Sequence, residues 1–252
     1  MLVVVSPAKR LDETPARPTQ STAPRFADAT ARLVETARAL DAAGLEKLMH
    51  ISSKLAALNV ARFARIGSGD GAKQAIGLFA GDTYTGLEAH SLDPDEMDYA
   101  QRHLRILSGL YGLLRPRDMI EPHRLEMGSR LANPHGRDLY AFWGDRIAEA
   151  LAADAAEAGT DVLVNCASVE YFTAADRPTL ALRVVTPSFL EDRPEGPKVM
   201  SFWAKQARGA MARFIVRNRL RDPAALSEFD IGGYRFQPDM STPDRPVFLR
   251  SA

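Results

Sequence analysis

Apolar positions recur along the chain with two periods, and together they predict strands and helices in irregular alternation. Leu2–Val5 is an unbroken, mostly β-branched run, as expected of a strand buried on both faces. Ser6 to Arg25 holds four prolines (Pro7, Pro15, Pro18, Pro24) and predicts an extended, ordered loop. Helical spacing follows over Phe26–Ala43, with Gly44 as its stop, over Ser53–Ile66, ended by GSGDG, and over Ala72–Phe79. Asp93-Pro94-Asp95-Glu96 supplies an N-cap, a proline at the first helical position and an acidic first turn, opening a helix to about His103. Leu104–Leu107 reads as a strand, Leu139–Ala156 as a helix, and Asp161–Asn165 as a strand that turns at Cys166–Ser168 into a helix from Val169. Leu180–Val185 predicts a further strand, Val199–Asn218 a long helix, and Tyr234–Phe236 and Val247–Arg250 two edge strands. There is no internal repeat, low-complexity segment or linker. The pattern predicts one large mixed α/β domain, α+β-like, over residues 1–252, with a mixed sheet and surrounding helices.

Composition narrows the function classes. The 252 residues are 46% hydrophobic and 25% charged, ordinary for a globular protein. The single cysteine, Cys166, excludes a disulfide framework and any four-thiolate metal site within one chain, and points to a reducing compartment. The apolar run after Met1 is too short for a signal peptide and no run approaches the ~18 residues of a membrane span, so a cytoplasmic protein without membrane contact is expected.

Charge changes the picture most. Lys plus Arg (32) balance Asp plus Glu (32), yet Gly196–Arg221 carries no acid and seven cations: Lys198, Lys205, Arg208, Arg213, Arg217, Arg219 and Arg221. At the chain's average composition, about three acids would fall in a window of that length. On a helix, at about 100° per residue, Trp203, Ala207, Met211 and Phe214 share a face that should be the core side. Ser201, Lys205, Arg208, Gly209 and Ala212 share a nearly opposite face, where small residues would let a phosphate or backbone approach the cations. Arg213 and Arg217, four apart, repel one another unless an anion intervenes.

Four further groups carry possible chemistry. Gly109-Leu-Tyr-Gly112 lies among Arg105, Arg115, Arg117 and Arg124, a glycine turn able to expose backbone N–H groups to an anion clamped by arginines. Its Gly-x-x-Gly spacing is one residue longer than that of helix-hairpin-helix DNA-binding elements. Asn165 to Phe172 runs from a strand end into a helix, where α/β sheets bind ligands; Ser168 suits an N-cap and Glu170 the helix dipole. Cys166 reads as a small buried apolar residue. Gly81-Asp82-Thr83-Tyr84 reads as a turn fixed by Asp82. The acids at Asp93–Asp98 are accounted for by capping, the five histidines are scattered, and neither a metal site nor a cofactor is expected.

Seven segments in order resemble the YaaA family of bacterial peroxide-stress proteins: Ser6–Lys9, Gly81–Leu87, Leu104–Pro116, His123–Gly128, Leu139–Gly144, Asn165–Phe172 and Ser201–Phe214. The resemblance covers nearly the full length. It implies a cytoplasmic protein that limits hydrogen peroxide damage by keeping unincorporated iron low. It also implies a family-specific α/β fold with a positively charged cleft that binds DNA, duplex or distorted, and a helix-hairpin-helix-like element. Carried over, the cleft draws on Lys9, Arg105, Arg115, Lys205 and Arg208, with the hairpin at Gly109 and Gly112; Lys198, Arg213 and Arg217 extend it along the basic helix. Trp203 and Gln206 stand where Tyr and Lys are common in the family, and His123 where Tyr is.

Two readings follow, with direct iron chelation a third that one cysteine and scattered histidines disfavour. In the first, which the sequence favours because it holds no established catalytic motif, the protein is a binding protein whose basic face holds DNA. In the second, the chain is an enzyme acting on a phosphate-bearing or nucleotide-like substrate, a small anionic ligand, with Asp82, Glu126, Ser168, Glu170 and Lys205 as candidate catalytic residues. Geometry separates them: cations along an open groove favour DNA, and acids converging with Lys205 in one enclosed pocket favour the enzyme.

Overall fold

In a computed structural model of the chain, which describes residues 1–16 and 20–251, the mixed α/β class is as expected. Pro18, in the proline-rich loop, lies outside the described residues. The central sheet has the order β4-β3-β1-β6-β7, formed by β1 (Leu2–Val5), β3 (Leu104–Ser108), β4 (Gly112–Leu114), β6 (Val162–Cys166) and β7 (Arg183–Val185). β1 pairs in parallel with both β3 and β6, β6 in parallel with β7, and β4 closes the edge antiparallel to β3. All four residues of β1 are buried, which is why that segment contains no polar side chain. β1 has one parallel neighbour that follows it in the chain on each side, so its carboxyl end is a switch point, where open α/β sheets leave a crevice.

A short ribbon pairs β2 (Lys73–Gln74) with β5 (Met119–Ile120), and a separate sheet has the order β8-β10-β9, from β8 (Ser188–Glu191), β9 (Tyr234–Phe236) and β10 (Val247–Arg250). The two tail strands expected at an edge thus pair with each other, but β10 is the central strand, because β8 joins it in parallel. β8 has only two apolar positions, Phe189 and Leu190, too few to announce a strand; Phe189 earns its place by stacking on Phe248 at 5.5 Å.

The helices are α1 (Ala27–Arg38), α2 (Ala42–Met49), α3 (Ser53–Arg65), α4 (Ala75–Leu78), α5 (Asp82–Leu87), α6 (Pro94–His103), α7 (Leu139–Trp143), α8 (Arg146–Glu157), α9 (Val169–Phe172) and α10 (Ser201–Arg217). α6 opens with the full capping box between Asp93 and Glu96. Other boundaries differ from the periodic reading. The helix expected over Phe26–Ala43 ends early, and Asp41 starts α2 by accepting from the Gly44 N–H at 2.8 Å, so Gly44 lies in a first turn rather than at a stop. Leu139–Ala156 is broken at Gly144, whose φ of 52° only glycine adopts freely. The turn expected at Asp82 is the first turn of α5.

The Gly109–Gly112 segment is not a helical hairpin. It joins β3 to β4, and both glycines are buried: a Cβ on Gly109 would fall 2.4 Å from the Leu125 carbonyl oxygen, and one on Gly112 2.7 Å from the Trp143 ring. Their role is close packing, and they present no backbone to a nucleic acid. α10 also departs from the amphipathic reading. Ala207 and Met211 are buried, but Trp203 and Phe202 are exposed, Trp203 lying under the Arg250 guanidinium at 3.8 Å. The face of small residues is filled by α5: a Cβ on Gly86 would meet the Gln206 carbonyl oxygen at 2.0 Å, and one on Gly209 the Thr83 carbonyl oxygen at 1.8 Å. Those glycines let two helix backbones touch.

Candidate functional site

A cavity of about 470 Å³ opens at the carboxyl ends of β1, β3 and β6. Ser6–Arg10 continue β1, Ser108 ends β3, and Cys166 and Ser168 leave β6; α5 contributes Asp82 and Thr83, and α10 contributes Lys205 and Arg208. The 123–126 segment and Glu170 complete the wall. The close α5–α10 contact thus sets the distance across the site.

The five candidate catalytic residues, Asp82, Glu126, Ser168, Glu170 and Lys205, all line this cavity. Glu126 is held from two sides: Arg124 donates at 2.8 and 3.0 Å, and the Lys9 ammonium lies 3.2 Å away. Glu170 does not serve its own helix; its carboxylate accepts the Gly128 N–H at 2.9 Å. Ser168 occupies the N-cap position of α9, yet its hydroxyl makes no capping bond. Instead its N–H donates to Ser6 Oγ at 2.9 Å, and the two hydroxyls lie 3.3 Å apart. The Tyr84 hydroxyl donates to the Ser6 carbonyl at 3.2 Å and thereby fixes the β1 exit. Among the described residues, Asp82, Lys205 and Arg208 have no side-chain hydrogen bond or ion pair within the protein.

Arg208 is the least compensated group in the site. It is half-buried, and desolvation lowers its pKa; the neighbouring Cys166 would offset this only as a thiolate. A guanidinium kept from water without a carboxylate is stabilised by an anion entering the cavity. The Cys166 thiol is pushed up to about 12 by burial, so it stays protonated and unreactive. His123 lines the cavity as a neutral imidazole: burial lowers its pKa to about 4, and Nδ1 donates to the Glu121 carbonyl at 2.9 Å, leaving Nε2 as the ring's other polar atom.

The ten cleft residues read from the sequence divide. Lys9, Lys205 and Arg208 line the cavity. Arg105 does not: it is buried, donating from Nε to Asp154 at 2.5 Å and to the Gln101 and Leu104 carbonyls, because it points off β3 toward α8. Gly109 and Gly112 are internal. Arg115 is partnered by Asp118 at 3.4 Å, away from the cavity. Arg213 is anchored to Glu88 at 3.7 Å and its carbonyl at 3.0 Å, Arg217 to Glu96 at 2.9 Å, and Lys198 to Glu195 at 3.6 Å. Arg213 and Arg217 are therefore neutralised by acids from α6 and the α5–α6 connection, remote in sequence, so their mutual repulsion needs no external anion, while Lys205 and Arg208 of the same stretch are left without an acid.

Arg124, read from the sequence as part of an arginine clamp, lines the cavity and holds Glu126, whereas Ser6 and Ser108 are lining residues that no charge or motif chemistry marks. Ser6 and Ser108 stand just where strands end, so the strand-end rule that marks Ser168 marks them too. Among the described residues, no three His, Cys, Asp or Glu side chains cluster to hold a metal ion, and no helix is long and apolar enough to cross a membrane.

Residues 1–240 match the family described as peroxide stress protein YaaA. A UPF0246 protein of Cereibacter sphaeroides is 60% identical over 256 residues, covering all of both chains. One from Ruegeria pomeroyi is 58% identical, covering 99% of this chain and 98% of its own, and one from Jannaschia sp. is 56% identical, covering 100% and 97%.

Proposed function

This chain belongs to the peroxide stress protein YaaA family, and from that premise we propose that it acts in the cytoplasm as an enzyme on a small phosphate-bearing or nucleotide-like substrate, bound in the cavity at the carboxyl end of β1. The observation that carries this reading is the convergence of Asp82, Glu126 and Glu170 with Lys205 and the uncompensated Arg208 in one cavity of about 470 Å³. Arg208 and Lys205 hold the anionic group. Asp82, free of internal partners, and the His123 ring supply proton-transfer capacity, and the Ser6 and Ser168 hydroxyls contact the reacting end. A volume of this size suits a small molecule.

The test is calorimetric titration with inorganic pyrophosphate. One site per chain is expected, weakened at least tenfold by Arg208→Ala and by Lys205→Ala, with both variants folded. Absence of pyrophosphate binding, or binding indifferent to both substitutions, refutes this reading.

A second reading retains DNA as partner and the lowering of unincorporated iron as an indirect consequence. It is favoured by the exposure of Lys205 together with Phe202 and Trp203 at the start of α10, a cation beside apolar rings that could meet unpaired bases. Anisotropy with labelled duplex, bubble and single-stranded DNA tests it. Binding that steepens as salt falls and weakens in Lys205→Ala supports DNA; salt-insensitive or absent binding removes it.

A further inference from the structure

A second cavity, of about 890 Å³, is bounded by the end of α1, by α2 and by the 128–132 segment, with Glu126 and Glu170 forming the wall between it and the first. Its apolar surface comes from Leu40, Leu48, Met49 and Leu131. Met49 and Leu131 are buried and make the floor, while Leu40 and Leu48 are half-buried. Among the described residues, no Phe, Tyr or Trp lines it, so this surface suits a flexible aliphatic body better than a stacked ring. Lys47, His50 and Arg130 also line the cavity, and all three are exposed, which puts them on its solvent side. Among the described residues, neither Lys47 nor Arg130 has a side-chain hydrogen bond or ion pair within the protein. Lys47 suits the last turn of α2, but Arg130 stands in a loop, where it serves no helix.

We propose that this cavity is a binding site in its own right, for an aliphatic monoanion of the fatty-acid type. Lys47 and Arg130 hold its carboxylate at the solvent side, and its hydrocarbon chain lies inward against Leu40, Leu48, Met49 and Leu131. The acids of the wall fix the charge of the ligand. Glu126 is neutralised by Arg124 and Lys9. That leaves two cations facing one carboxylate, Glu170, which accepts the Gly128 N–H, and a single negative charge on the ligand balances the set. An apolar floor with a few polar groups at one side is the usual make-up of a small-molecule site, and the volume is ample for one. The inference does not depend on what fills the first cavity.

The experiment is calorimetry on the full chain with decanoate below its micelle concentration, against acetate, which has the head without the tail, and decyltrimethylammonium, which has the tail with the opposite charge. Decanoate should bind at one site per chain, and about tenfold or more tighter than either comparator, since both the buried methylenes and the charge-assisted bonds contribute. The double variant Lys47→Ala with Arg130→Ala should weaken decanoate about tenfold. Ala132→Phe, which fills the cavity from an exposed position, should weaken it at least as much. Arg208→Ala, in the first cavity, should leave it unchanged. Decanoate binding no tighter than acetate or decyltrimethylammonium overturns the proposal. Binding that survives both the double variant and Ala132→Phe, or that Arg208→Ala weakens as much as they do, overturns it equally.

Discussion

Gly209→Ala concentrates the logic of this fold in one methyl group. In an isolated helix the substitution would stabilise by about 0.5–1 kcal/mol, because alanine has less backbone entropy to lose. Here the new Cβ would fall 1.8 Å from the Thr83 carbonyl oxygen, 2.7 Å from its carbon and 2.8 Å from the Leu87 nitrogen. All three are backbone atoms of α5, so no side chain can swing aside, and the helices must separate by more than 1 Å. Overpacking in rigid surroundings typically costs about 1–3 kcal/mol, and this contact belongs at the upper end, about 3 kcal/mol net. For a chain of this length that lowers Tm by roughly 6–12 °C, at about 2–4 °C per kcal/mol. Urea denaturation should show a lower midpoint with an unchanged slope. The same separation displaces Lys205 and Arg208 from Asp82 and Thr83, so pyrophosphate affinity should fall about tenfold, the worth of one charge-assisted hydrogen bond. Gly77→Ala is the internal control: its Cβ would meet only the end of the Lys73 side chain at 3.4 Å, and stability should hold or rise by up to about 1 kcal/mol. A Gly209→Ala protein within about 0.5 kcal/mol of the parent would refute the close α5–α10 packing and, with it, the account of how the cavity's width is set.

Three other expectations follow from the site and its supports. Asp154→Ala leaves the buried Arg105 guanidinium without its carboxylate and should cost about 3–5 kcal/mol in urea denaturation; a loss below about 1 kcal/mol contradicts the buried pair. His123 titrates near 4 when folded and near 6.5 when unfolded, so the unfolded chain binds the extra proton and stability falls as pH drops from about 6.5 to about 4. In His123→Gln the stability–pH slope over that interval should flatten by up to about 1.4 kcal/mol per pH unit; an unchanged slope means the imidazole is not buried neutral. Cys166 should resist iodoacetamide at pH 8 in the native protein and react on unfolding in urea, since its thiol is pushed up to about 12; fast native labelling contradicts that burial.

Local chemistry in the sequence determined a good deal. The β-branched run Leu2–Val5, the capping box at Asp93–Glu96 and the strand-to-helix exit at Cys166–Ser168 each specify their structure within a few residues, because strand burial, helix capping and strand-end turns are short-range effects. The motif order also gave the family, and the five candidate catalytic residues lie around one cavity. What only the tertiary structure decided is which charges face the ligand and which serve the fold. Arg105 and Arg208 look alike in sequence; one finds Asp154 across the sheet, and the other is left facing a cavity. Arg213 and Arg217 belong to an acid-free stretch, yet Glu88 and Glu96 neutralise them from more than a hundred residues away. Gly209 reads as room for a phosphate until the Thr83 backbone closes upon it. Electrostatic and steric complementarity are properties of atoms a few ångströms apart, and distance along the chain carries no information about them once the chain has folded back on itself.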